Sequence, residues 1–348
     1  MKVLFRILIV VTFLAIIFFY SSSDNSKPLE VTEPGITEIE NVEEFEFNSE
    51  SLQSPVAGLS TYIGKSAKVI MDDFKEPERI EQTPYNYEWW VYNQYETYIM
   101  FAVKDGVVTQ VYTNSTAYDV APYSMYMSAD DIYRMTILNG EISVTLGNNM
   151  YLYTMSDYDT KYRILVQFED VYAQLYIDEK QKKLMGIRFM DGETLVAHKP
   201  YEMQFIGELF EEPQLTFDAQ TNDMNAMQLF ELTNVFRIKE KLPTFAYSNS
   251  LSTLAQNHSE DMFEGQFVSH ESPTNGSLKE RVEQIGLIYE DIDENIATGF
   301  YDAIEAIHSL LNSDTHRKLI YDEDFTEIGV GVQERYYTQI FFYPAELK

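Results

Sequence analysis

Cysteine is absent from all 348 residues. That removes disulfides, thiolate catalysis, lipid attachment at a cysteine and cysteine-ligated zinc together. Basic residues are scarce: 25 Lys and Arg stand against 56 Asp and Glu, a formal net charge of −31. A phosphate backbone needs a basic face and no basic cluster is present, so nucleic acid is not an expected partner, and anionic lipid headgroups are disfavoured on the same ground. Long apolar runs are missing beyond the first 20 residues. Histidine occurs five times, yet four of the five (His258, His270, His308, His316) fall between 257 and 317. With 45% hydrophobic and 14% aromatic residues, the chain can still bury two cores and carry a tail.

Lys2 and Arg6 precede an apolar run, 7–20, broken only by Thr12. Basic residues stay cytoplasmic while such a run enters the membrane, which is the pattern of an export signal. The run is shorter than the roughly 20 residues a spanning helix prefers, although Arg6 can snorkel and extend it. Residues 1–20 are therefore expected as a signal anchor or a cleaved signal peptide. No A-x-A cleavage site follows, and Ser21, Ser22 and Ser23 leave both readings open. Either way the bulk of the protein is expected outside the cytoplasm, anchored to the cell membrane or secreted. Export without disulfides fits a bacterial envelope better than a eukaryotic secretory route. Residues 21–55 are acidic (Glu30, Glu33, Glu38, Glu40, Glu43, Glu44, Glu46) and poor in large apolar side chains, so they read as a disordered linker extended by its own charge.

Residues 56–206 read as a strand-rich α+β domain. A short helix is expected over 64–74, then strands at 87–92, 98–103 and 107–112, the last two joined by a turn at Asp105-Gly106. A second set follows at 162–168, 171–177 and 184–189. Trp90-Val91-Tyr92…Tyr98-Ile99-Met100-Phe101 and Arg163-Ile164-Leu165…Tyr172-Ala173-Gln174-Leu175 look like two copies of one unit, a weak internal duplication. The aromatic residues suit sheet packing more than a ligand platform. Residues 200–222 are acidic, contain Pro213 and read as an irregular connector.

A second domain is expected over 223–345. Its first helix starts near Asp223 and closes at Leu242-Pro243. A second begins after Ser248 or Asn249, places His258 on its apolar stripe, and stops at Gly265. Ser277 caps a third helix ended by Gly286, and a fourth spans 301–312. The alternating tail, with Gly329 and Gly331 inside it, reads as closing strands.

These residues resemble the bacterial branch of the CAP superfamily (cysteine-rich secretory proteins, antigen 5, pathogenesis-related 1), also called SCP. The motifs run in order: Asn234-x-x-Arg237, Leu251-x-x-Leu254-Ala255-x-x-His258-Ser259-x-x-Met262, Phe267-x-Ser269-His270, Glu280-Arg281, Glu294-Asn295-Ile296-Ala297-x-Gly299, Asn312-Ser313-x-x-His316-Arg317, Phe325-Thr326-Glu327-Ile328-Gly329-Val330-Gly331 and Gln339-x-Phe341. The preceding region is similar to the CAP-associated N-terminal domain of Bacillus-type proteins. The resemblance implies an α-β-α sandwich with a cleft of histidine and glutamate side chains. Of the family's His, Glu, Glu, His tetrad, the first His falls on His270, the first Glu on Glu294 and the second His on His316. The second Glu falls on about Ser313, so one carboxylate is missing.

His270, Glu294, His316 and His258 are thus the candidate ligands of a divalent cation, zinc or calcium. Without metal, Glu294 could act as a general base with His270 or His316 donating a proton, which makes Glu294 and His270 the candidate catalytic residues. Plain structural roles compete: a core histidine at His258, a cation near a helix C-terminus at His316, a buried acceptor at Glu294. Arg281, with Glu280 and Glu283 nearby, is expected to take part in a scaffold ion pair. Ser269 and Ser313 lack an oriented acid partner, so a serine nucleophile is set aside. The expected function is a cell-envelope binding or signalling module whose cleft takes a cation or small ligand, with a cell-wall or envelope protein as partner. Whether the chain is an enzyme stays open: a cation-dependent hydrolase of peptide or wall material and a carrier of lipid or small apolar ligands are the alternatives.

Overall fold

The computed structural model describes residues 27–39, 51–136, 141–210 and 215–345; the expected export segment, 1–20, lies outside them. Among the described residues no helix is long and apolar enough to cross a membrane.

The expected linker is corrected where its first part is described. Leu29–Glu30 (β1) pairs in parallel with a strand of the C-terminal domain, and Ile36–Glu38 (β2) pairs in parallel with one of the N-terminal domain. Leu29 and Val31 pack against the main core, and Glu33 pairs with Arg335 at 2.7 Å. A strand added to a sheet edge is held largely by backbone bonds, so an acidic, apolar-poor segment can be ordered in a way its composition conceals.

Ser66 caps α1 (Ala67–Phe74) by accepting from the Lys68 amide. Then come β3 (Arg79–Gln82), β4 (Glu88–Tyr92), β5 (Ile99–Lys104) and β6 (Val107–Thr113), with Asp105 and Gly106 both at positive φ in the tight β5–β6 turn. Next are α2 (Ala129–Met135), β7 (Glu141–Leu146), β8 (Asn149–Thr154), the short α3 (Asp159–Tyr162), β9 (Arg163–Phe168), β10 (Val171–Asp178), β11 (Lys183–Asp191), α4 (Gly192–His198) and β12 (Glu202–Ile206). One sheet runs β3-β4-β5-β6-β11-β10-β9, so the meanders β4-β5-β6 and β9-β10-β11 meet edge to edge in mirrored order. A second sheet runs β2-β12-β8-β7. Strand β12 therefore lies within 200–222, where the sequence suggested irregular chain.

The C-terminal domain contains α5 (Ala219–Lys239), β13 (Ala246–Tyr247), α6 (Asn249–Gly265), α7 (Leu278–Gln284), β14 (Tyr289–Thr298), α8 (Ala303–Asn312), α9 (Asp314–Ile320), β15 (Glu327–Gln333) and β16 (Tyr336–Pro344). Its sheet order is β1-β14-β16-β15-β13. Helices α5, α8 and α9 cover one face through Leu229, Phe236, Ile307 and Ile320, while α6 and α7 cover the other through Leu251, Ala255 and Val282. This is the α-β-α sandwich. Helix α6 ends at Gly265 as expected, and the next residue, Gln266, takes the left-handed turn at φ 51°. On β15, Ile328, Val330 and Val332 face α5 and α8. The intervening Gly329 and Gly331 lie against the α6 backbone, where a Cβ would overlap Leu251, Ser252, Ala255 and Gln256. The two glycines let α6 sit on the sheet itself.

The domains share a core. On β5, Tyr98, Met100 and Ala102 join the cluster containing α5 and α8, while Ile99, Phe101 and Val103 face α1 and α2. Polar pairs cross the same interface: Arg188 to Asp302 at 2.7 Å, Arg163 to Glu305 at 2.9 Å and Arg79 to Glu231 at 2.6 Å. His308 stacks on Tyr176 with ring centroids 4.2 Å apart, bonds the Tyr112 hydroxyl at 2.9 Å, and occupies the space that Gly186 leaves on β11. It belongs to this interface and not to the histidine cleft.

Candidate functional site

The α6–α7 face, turned away from the N-terminal domain, gathers most of the predicted residues. Strand β14 places Glu294 opposite Ile340 on that face, because alternation along the strand sends Ile292 and Glu294 to one side and Asn295 to the other. Asp261 on α6 accepts hydrogen bonds from Ser272 and Thr274 and so pins the loop that carries His270. The capping box of Ser277 and Glu280 starts α7 and fixes Arg281 beneath the same loop.

His270 Nδ1 donates to Glu294 Oε1 at 2.9 Å. Arg281 Nη2 lies 2.8 Å from Oε1 and 3.0 Å from Oε2 of Glu294, and 3.0 Å from the His270 carbonyl oxygen. Burial by itself would raise the Glu294 carboxyl, but the His270 bond and the Arg281 charge outweigh it and hold the group below its ordinary value. Glu294 is 1% exposed, and the His270 side chain keeps 14%. His258 on α6 donates Nε2–H to the Ser269 carbonyl at 3.0 Å, leaving Nδ1 buried without a hydrogen bond. Burial lowers its pKa to about 4, with Glu294 opposing and Arg281 assisting.

His316 does not close the fourth helix; it belongs to the separate α9. Its Nδ1 meets Ser313 Oγ at 2.6 Å, and Asn295 Nδ2 donates to its backbone carbonyl at 3.2 Å. Burial, then the neighbouring His270, lowers its pKa to about 4. Nε2 is buried with no well-formed hydrogen bond. At the position where the resemblance implies a second glutamate, Ser313 thus supplies a hydroxyl that orients an imidazole.

Three residues were missed as site members. Arg281 does form the expected ion pair, but neighbours one and two apart on a helix point to different sides, so its partner is Glu294 on β14 and neither Glu280 nor Glu283. Asn295 and Ser313 stand in the quoted motifs without any signal of what they touch. The candidate ligands are also less available than their proximity suggests. Among the described residues no group of three or more His, Asp or Glu side chains is arranged to hold a metal ion. Both Glu294 oxygens are engaged by Arg281, so this donor set does not fit a resident divalent cation. What the arrangement offers is a charge-balanced buried pair beneath one partly exposed imidazole.

The comparisons agree with this architecture. Residues 63–201 match the CAP-associated N-terminal family model, and residues 230–343 match that of the cysteine-rich secretory protein family. The chain is 34% identical over 294 residues to the uncharacterized membrane protein YlbC of Bacillus subtilis, covering 83% of this chain and 85% of that one. An extracellular SCP-domain protein from Bacillus anthracis superposes with a TM-score of 0.78 at 35% identity, over 86% of this chain and 99% of that one. A cysteine-rich secretory protein from Staphylococcus aureus gives 0.74 at 25% identity, over 84% and 97%. This chain therefore belongs to the CAP (cysteine-rich secretory protein) family, in the form that carries a CAP-associated N-terminal domain.

Proposed function

We propose that this protein is an extracytoplasmic, membrane-associated binding module, in which the N-terminal domain braces a CAP domain whose α6–α7 face receives a component of the cell envelope. The observation that carries this reading is the state of Glu294. A general base works best with a pKa near the operating pH and a free lone pair. Glu294 is held low, is buried, and gives both oxygens to Arg281. That favours binding over hydrolysis.

The surroundings favour a polar partner bearing positive charge. Between residues 258 and 294 there are ten Asp and Glu against two Lys and Arg. An open hollow of about 520 Å³ beside the His270 loop is lined by Thr274, Asn275, Gly276, Glu280, Glu283 and Gln284. Such a lining suits the amine-bearing peptides of a cell wall better than an apolar ligand.

The test is sedimentation of the full chain with purified wall sacculi, for wild type, His270→Ala and Glu294→Gln, with soluble products assayed in parallel. Binding weakened several-fold by His270→Ala, with no release of wall fragments, is expected. Fragment release by the wild type that disappears in folded Glu294→Gln would replace this reading with the hydrolase.

A further inference from the structure

We propose that the Arg281 guanidinium is itself the resident cation of the CAP cleft, occupying the place a metal ion would take and excluding divalent ions from it. This goes beyond the binding reading and does not depend on it, since it concerns what fills the interior of the site whatever docks outside.

The geometry is that of an ion in a cage. A guanidinium ordinarily meets a carboxylate side-on, with two nitrogens making parallel hydrogen bonds to two oxygens. Here a single nitrogen does everything. Arg281 Nη2 alone faces Glu294 Oε1, Glu294 Oε2 and the His270 carbonyl oxygen, at 2.8, 3.0 and 3.0 Å. Nε and Nη1 are buried and make no hydrogen bond. The positive end of the side chain is thus delivered end-on to a focus of three oxygens, two from one carboxylate and one from the backbone, which is a donor set a hard cation such as calcium accepts.

Competing hydrogen bonds at the histidines are not what would keep a metal out, since His258 Nδ1 and His316 Nε2 are both buried without one. Occupancy by Arg281 and its charge do the excluding. The side chain cannot step aside readily: it is 3% exposed, and α7 is started by the Ser277–Glu280 capping box four and one residues before it. Substituting a tethered, singly charged cation for a free ion makes the site independent of metal supply and fixes the His270 loop through its carbonyl.

The experiment compares the full chain with Glu294→Gln, Arg281→Ala and Arg281→Ala/Glu294→Gln, using methylguanidinium, Ca²⁺ and Zn²⁺ as probes. Thermal melting and calorimetric titration are the readouts. In the wild type, neither divalent ion is expected to bind in a manner that Glu294→Gln alters. In Arg281→Ala, the melting temperature is expected to fall and to recover in part with methylguanidinium or Ca²⁺, and that recovery should vanish in the double variant. Wild-type binding of either divalent ion that Glu294→Gln weakens tenfold or more would overturn the proposal. So would a folded Arg281→Ala that none of the three cations stabilises. Should Arg281→Ala fail to fold, the wild-type and Glu294→Gln titrations decide by themselves.

Discussion

His316 gives the most direct physical test of the site, because its environment predicts a definite dependence of stability on pH. Its folded pKa is about 4 against an ordinary 6.5. Between those values the unfolded chain binds a proton that the folded chain refuses, so stability is present above about pH 6.5 and is lost as pH falls toward 4. At pH 5 the unfolded imidazole is nearly all protonated and the folded one about nine-tenths neutral, a penalty of about 2 kcal/mol against about 0.2 kcal/mol at pH 7. The raw curve does not isolate this effect. Burial raises the interfacial Glu305 to about 7 despite Arg163, and a raised carboxyl acts in the opposite sense, favouring the folded state as pH falls from 7 toward 4.5. The comparison is therefore wild type against His316→Gln, each unfolded in urea at half-unit steps from pH 5 to 7. The variant starts less stable because it loses the Ser313 bond, but its curve should fall more gently by about 2 kcal/mol across the range. Parallel curves would show that His316 is not buried as a neutral imidazole.

Gly331→Ala should cost about 3 kcal/mol, the upper end of overpacking, because the added methyl meets the α6 backbone at Ala255 and Gln256 and no flexible side chain can yield; urea denaturation measures it. Asp302→Asn leaves the fully buried Arg188 without its counter-charge and should cost about 3–5 kcal/mol, with both domains still unfolding together. Deleting residues 1–39 removes the half-buried Leu29 and Val31 and should cost about 2 kcal/mol, with faster amide exchange at residues 297–298, where the segment pairs with β14.

Elements with strong local signatures were legible beforehand. The tight β5–β6 turn and the helix capped by Ser277 declare themselves through residues that only their neighbours need to satisfy. Strands β7 and β8, outside the expected set, carry a local signal as well. Ile142 and Val144 alternate with polar residues, and Gly147-Asn148 makes the turn. Residues 29–38 were a different case. Their order comes from edges supplied by β14 and β12, and nothing in an acidic segment announces which edge it will join.

By itself, then, the sequence determined the class of the protein and the residues that approach one another. Ordered motifs specified the CAP sandwich, the glycines of β15 specified close helix–sheet contact, and His258, His270, Glu294 and His316 were identified before their positions were known. Only the tertiary structure decided what those residues do to one another. Whether Glu294 is a base, a metal ligand or an anchor depends on which cation reaches its two oxygens. The tertiary structure brings Arg281 there, thirteen residues away in sequence and 2.8 Å away in space. Charge pairing and burial are properties of the assembled interior, and no local pattern along the chain encodes them.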